Sequence, residues 1–206
     1  MRRSKLFLWV ASVLFLLGTV SHAQTVLTDV WKDREYRITA NKIAVFWITQ
    51  DRTRRILHED EFVRQLKARG TVGMPMYVVI PPDKMVDKET AMTKVRGLGA
   101  DAVLTMRLID KLTARTNIPD PAKTGQAGPS QGPRFYEYVY DPTTIPDGEP
   151  AYIETILFDA RTGQRVWAAR SVTKFTVIDQ KAVSEFIGAM IDRLAADKMI
   201  QEGAAP

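Results

Sequence analysis

His58, Glu59 and Asp60 stand side by side, the residue types that a metal site or a proton relay would draw on. Consecutive residues of a helix point about 100° apart, so these three do not converge on one point, and a solvated helix face is expected. The only other histidine is His22, in the N-terminal leader, so no second imidazole completes a metal cage or a proton shuttle. Ser171 and Lys174 have the S-x-x-K spacing of an acylating serine, and Lys123-Thr124-Gly125 supplies a K-T-G. Ser171 and Lys174 fall on an expected strand, where residues three apart face opposite sides of the sheet. The K-T-G precedes the serine, and no S-D-N accompanies them. No G-x-S-x-G elbow, phosphate loop or dinucleotide fingerprint occurs, and Gly125, Gly128 and Gly132 lie in a loop rather than between a strand and a helix. With no cysteine in the chain, thiol nucleophiles, disulfides and cysteine-bound zinc are excluded. The expectation is a protein that is not an enzyme, with no cofactor and no metal.

Contacts are a better use for the residues that remain. Arg52, Arg54 and Arg55 cluster where a helix begins, and helix N-termini attract anions. Arg52 and Arg55 are therefore binding candidates for an acidic ligand, against the plainer reading of surface charge with Arg55 paired to Glu59 at i, i+4. Trp31 either covers a sheet edge or anchors a partner, since tryptophan is enriched at interface hot spots. Phe135, Tyr136, Tyr138 and Tyr140 alternate along a short run beside a loop. They either dock on a partner or pad the protein's own sheet.

The elements that position these residues follow from patterning. Residues 24–40 read as an extended lead-in. Lys42 to Thr49 is a continuous apolar run, the mark of a strand covered on both faces. Asp51 to Arg69 reads as a helix capped by Asp51 or Thr53, striped by Ile56, Phe62, Val63 and Leu66, and stopped by Gly70. Met76 to Ile80 is a second strand ended by Pro81-Pro82. Asp83 to Leu98 is a second helix, with Met85, Met92, Val95 and Leu98 inward. Asp101 to Leu108 is a third strand. Residues 111–150 form a flexible insertion, richest in Gly, Pro, Ser and Gln over 117–134, a composition that does not offset its ordering entropy. Ala151 to Asp159 and Arg165 to Lys174 form a hairpin through Ala160 to Gln164. Asp179 opens a last helix, to about Ile200, carrying Val183, Phe186, Ile187, Met190, Ile191 and Leu194.

The order β-α-β-α-β, long loop, β-β-α predicts one α/β domain over residues 41–200. It has a mixed sheet of about five strands with helices packed on it, and residues 201–206 form a disordered tail.

Ahead of this domain stands a leader. Arg2, Arg3 and Lys5 precede an uncharged, mostly apolar run from Leu6 to Val20, shorter than the ~20 residues a spanning helix needs. Ser21-His22-Ala23 then sets small residues at the −3 and −1 positions of a cut between Ala23 and Gln24. Residues 1–23 are therefore expected to be a cleaved secretory signal, which places the rest in the periplasm with no stable membrane insertion. Three of the five net positive charges lie in that leader, leaving about +2 on the remainder and no electrostatic case for nucleic acid.

Trp31-Lys32-Asp33, followed by a first strand and a helix carrying Arg55, Glu59, Leu66 and Gly70, resembles a motif set of uncharacterised bacterial envelope proteins and lipoproteins. Gly99-Ala100-Asp101-Ala102 opening the third strand is similar too. So is the hairpin pattern D-x-x-T-G-x-x-V-W from Asp159 to Trp167. The resemblance spans residues 28–195. At fold level the order also looks like the amino-terminal domain of TolB, curli-secretion channel subunits and the lipoprotein activators of penicillin-binding proteins. Many such relatives carry a lipid-bearing cysteine, which this chain lacks. The resemblance implies a non-catalytic periplasmic protein that serves as a protein-interaction or assembly module, with another envelope protein as partner. The alternative is a periplasmic protein binding a small acidic ligand.

Overall fold

The computed structural model describes residues 25–49, 51–81, 88–121, 149–174 and 180–203. Their elements run β1 Thr25–Lys32, β2 Lys42–Ile48, α1 Arg52–Ala68, β3 Val72–Pro75, α2 Lys88–Gly97, β4 Ala102–Ile109, α3 Lys111–Ala114, β5 Ala151–Asp159, β6 Arg165–Thr173 and α4 Gln180–Ala196. One mixed sheet joins all the strands in the order β1-β6-β5-β4-β2-β3. β3, β2 and β4 are parallel, while β4, β5, β6 and β1 are antiparallel to their neighbours.

The crossovers decide where the helices sit. β2 lies between β3 and β4, and α1 and α2 cross on opposite faces. α1 brings Phe62 and Leu66 onto the first face with Ile43, Val45 and Trp47 of β2, where α4 adds Phe186, Ile187 and Met190. α2 brings Ala91 and Val95 onto the second face with Ala44 and Phe46 of the same strand. The unbroken apolar run of β2 is thus covered on both sides, as central strands are. α4 packs its whole apolar stripe, and its end meets the lead-in: Ala40 and Ile200 form a parallel bridge, and Ala40 N–H donates to Met199 O at 2.9 Å.

Three expectations change. The sheet has six strands rather than five, because the lead-in contributes β1, which pairs with β6 from Thr25↔Thr173 to Lys32↔Trp167 around a bulge at Thr28. Thr25, Thr28, Asp29 and Lys32, half of its residues, kept β1 from reading as a buried strand. The strand expected over Met76 to Ile80 lies earlier, at Val72–Pro75, and Met76–Val78 form a 3-10 turn. The ladder with β2 ends at Val45↔Pro75, and Glu59 of α1 takes the next N–H group but one, that of Tyr77. Met76 and Ile80, both buried, then follow the spacing of a turn. The third change concerns the solvated face expected for α1, described below.

α1 starts where expected: Asp51 is its N-cap and accepts from Arg54 N at 3.0 Å. Gly70, at φ +81°, ends it. The hairpin turn is set by Asp159, whose carboxylate accepts from Thr162 N, and by Gly163 at φ +70°. No helix among the described residues is long and apolar enough to cross a membrane.

Candidate functional site

Two of the three residues expected on a solvated face of α1, His58 and Glu59, turn inward, while Asp60 stays exposed. Glu59 is 0% exposed and His58 5%. The Glu59 carboxylate accepts from Arg55 Nε at 2.7 Å and Trp47 N at 3.1 Å through Oε1, and from Tyr77 N at 2.7 Å through Oε2. One side chain thereby ties α1 to the end of β2 and to the turn after β3. Burial pushes the Glu59 carboxyl above its ordinary range, opposed by Arg55 and the two backbone donors. The Arg55 guanidinium is itself buried, with its carbon 4.4 Å from the Phe46 ring centroid. The pairing of Arg55 with Glu59 stands, but in the interior.

His58 stacks on Trp47 with ring centroids 4.0 Å apart. Its Nδ1 lies 2.7 Å from Arg54 O; a carbonyl only accepts, so Nδ1 carries the proton. Burial lowers the imidazole to about 4. A solvated face was expected because α1 was oriented by its apolar residues alone. The helix instead turns His58 and Glu59 inward, where β2 and the turn after β3 supply partners, and leaves Ile56 and Val63 half-buried.

A second set of charges crosses the sheet on its other face. Strand register aligns Asp29 of β1, Arg170 of β6, Glu154 of β5 and Arg107 of β4 in one row of alternating sign. Glu154 accepts from Arg170 Nε at 3.0 Å through Oε1. Through Oε2 it accepts from Arg107 Nε and Nη2 at 3.1 and 2.9 Å. Arg170 Nη1 continues to Thr113 O and Thr116 Oγ1, both at 2.9 Å, and to Thr116 O. Asp29 accepts from Ile118 N, and Ile118 is buried in the second core. The segment 110–121 is thus pinned over the row. Sequence reasoning missed this row, although its signal was present: Arg107, Glu154 and Arg170 are charges in the interior of largely apolar strands. Only the register shows that they meet.

The Glu59, Glu154 and Asp29 carboxylates each accept hydrogen bonds from groups of the fold itself. Ser171 is buried, with Oγ 3.5 Å from Ile153 O, while Lys174 lies exposed beyond the end of β6. Among the described residues no group of three or more His, Asp or Glu could hold a metal ion.

The remaining candidates divide. Trp31 is half-buried in β1 against the second core, and the Arg165 guanidinium carbon lies 4.5 Å from its ring centroid. Arg52 is exposed on the first turn of α1, Arg54 pairs with Asp51 at 3.1 Å, and Arg55 turns inward. The three arginines therefore form no common anion cradle. Phe135, Tyr136, Tyr138 and Tyr140 lie outside the described residues.

Among the described residues, what stays open is the edge of the sheet. β3, at one end, has four residues and closes on Pro75, which has no N–H to offer. β1, at the other end, has eight residues, and among the described residues no strand pairs with its outer side. Val26 on this strand is 45% exposed.

No protein-family model and no curated protein matches the chain. Among solved structures, the PelC dodecamer from Paraburkholderia phytofirmans is similar at 12% identity, over 86% of this chain and 99% of that one, with a TM-score of 0.43. Lipoprotein GNA1162 from Neisseria meningitidis is similar at 14% identity, over 75% of this chain and 96% of that one, with a TM-score of 0.40.

Proposed function

We propose that this chain is a non-catalytic protein of the bacterial cell envelope that serves as an interaction or assembly module, with the outer edge of β1 as its docking element. The carrying observation is the asymmetry of the two sheet edges. β3 is blunted by its length and by Pro75, whereas β1, with no strand on its outer side among the described residues, presents eight residues of main chain and an exposed Val26. An open edge of that length is a template for strand addition, in which main-chain hydrogen bonds supply affinity and alternate side chains supply selectivity. The bulge at Thr28 divides the rim but leaves Thr25 to Leu27 and Asp29 to Lys32 in regular pairing with β6. The buried charges support the same reading, since Glu59, Glu154 and Arg170 spend their hydrogen bonds inside the fold. The leader at residues 1–23 supports export, and the partner is then another envelope protein.

The test is crosslinked affinity capture from intact envelope with the wild-type chain and with Val26→Lys. A lysine on an exposed edge opposes strand addition while changing fold stability by no more than about 0.5 kcal/mol. Loss of the captured partner at an unchanged melting temperature is expected. The same partners captured in equal yield by both chains would refute the role of β1.

A further inference from the structure

Residues 110–121, which begin with the helical turn α3, are held to the second face largely through their main chain, with Thr116 Oγ1 accepting from Arg170 as well. Arg170 donates to the carbonyls of Thr113 and Thr116, and Asp29 accepts the N–H of Ile118. Arg165 donates to the carbonyl of Pro119. The one buried apolar side chain in the segment is Ile118, seated in the second core with Ala168, Ile156 and Phe158. Around it Lys111, Leu112, Arg115, Thr116 and Asn117 are exposed, and Leu112, at 75%, is the most exposed large apolar side chain of the described residues. Cationic and anionic side chains reading the carbonyls at the end of a helical turn and an amide beyond it, beside one apolar seat, are what a site for a short peptide requires. A segment with a single apolar anchor and many exposed positions also belongs to the part of a protein that opens before its core does.

We infer that residues 110–121 are a strap occupying in cis a peptide-binding site formed by Asp29, Arg165, Arg170 and the Ile118 seat, and that a partner segment with one helical turn followed by an aliphatic side chain takes the strap's place. This rests on the reading of the protein as an interaction module, but the site lies on the second face of the sheet, which the Asp29 side chain of β1 faces, and not along the outer edge of that strand. Capture by the Val26→Lys chain reports on the edge, whereas the experiment below uses the purified protein and reports on the strap.

A fluorescent peptide of residues 111–121 is titrated by anisotropy into the wild-type protein, into Ile118→Ala, and into Ile118→Ala combined with Arg170→Lys. Hydrogen exchange is followed on each. Ile118→Ala is chosen because it empties the seat without placing a charge in the core. The expected result is faster exchange in 110–121 than in β5 and β6 of Ile118→Ala. Saturable peptide binding should accompany it, at least ten-fold tighter than to wild type. Arg170→Lys, which keeps a charge beside Glu154 but lacks the guanidinium that reaches Glu154 through Nε and both threonines through Nη1, should weaken that binding at least ten-fold. Two results would overturn the inference. One is a strap that exchanges only together with β5 and β6 in every variant. The other is a freed strap with no peptide binding, or with binding that is indifferent to Arg170→Lys.

Discussion

His58 shows how one buried side chain imposes a pH dependence on the whole protein. Its ordinary value is 6.5, and burial lowers it to about 4 in the fold, with the Arg54 charge acting in the same direction and the Arg54 carbonyl and Asp51 acting against. Between those values the unfolded chain binds a proton that the native chain does not, so stability falls as pH falls. The contribution is intact above the unfolded value and is spent by about pH 4. Between about pH 7 and about pH 5.5, above the range where most carboxylates protonate, it should remove about 1 kcal/mol. Urea unfolding of the wild type at the two pH values should show this loss, and His58→Phe, which keeps an aromatic ring against Trp47 but does not titrate, should show little of it. Equal slopes in the two proteins would mean that His58 is solvated or charged in the native state. Of this environment the sequence displays only the residue types. The Arg55–Glu59 spacing is legible, but whether the pair faces water or Trp47 depends on the rotation of α1, which is set by β2 and the turn after β3.

At the scale of elements, legibility follows the source of the constraint. β2, β4, β5, β6, α1 and α4 lie close to where patterning puts them, because each carries an apolar period or run that only burial satisfies. β1 and β3 are displaced from expectation, because their pairing is decided by neighbours distant in sequence. The β3–α1 contact is one such case. A Cβ added at Gly73 would lie 2.8 Å from Val63 Cα and 3.0 Å from Val63 Cγ2, with Leu66 Cδ1 at 3.2 Å. Val63 Cα is helix backbone and does not yield as a side chain tip does, so α1 would have to lift from the sheet. Gly73→Ala should therefore cost about 1–3 kcal/mol by overpacking. Gly97, in the last turn of α2, has nothing within 4 Å of its added Cβ, so Gly97→Ala should stabilise by about 0.4–1 kcal/mol by restricting the unfolded chain. Chemical denaturation of both variants separates the two effects, and a neutral Gly73→Ala would show that α1 is not packed this closely.

Across the whole molecule, the first strand and the last helix close on each other at Asp197, just beyond α4. Asp197 Oδ2 accepts from Trp167 Nε1 and from Arg193 Nε, both at 2.8 Å, and Asp197 O accepts from Lys32 Nζ at 2.6 Å. Lys32 ends β1 and pairs in register with Trp167 of β6, so one residue joins the first strand, the hairpin and the C-terminal helix. Trp167 is among the largest fully buried side chains, and its indole N–H has one donor's worth of hydrogen bonding to place. Asp197→Ala leaves that N–H buried without its acceptor, which should cost about 1–3 kcal/mol. Because the contact spans the two ends of the described chain, the loss should appear in the unfolding of the entire sheet rather than in fraying of α4 alone. Tryptophan fluorescence and far-ultraviolet circular dichroism should then shift to a lower midpoint together. If the dichroism falls first while the fluorescence transition stays at its wild-type midpoint, α4 is an independent unit and the closure at Asp197 does not hold the sheet.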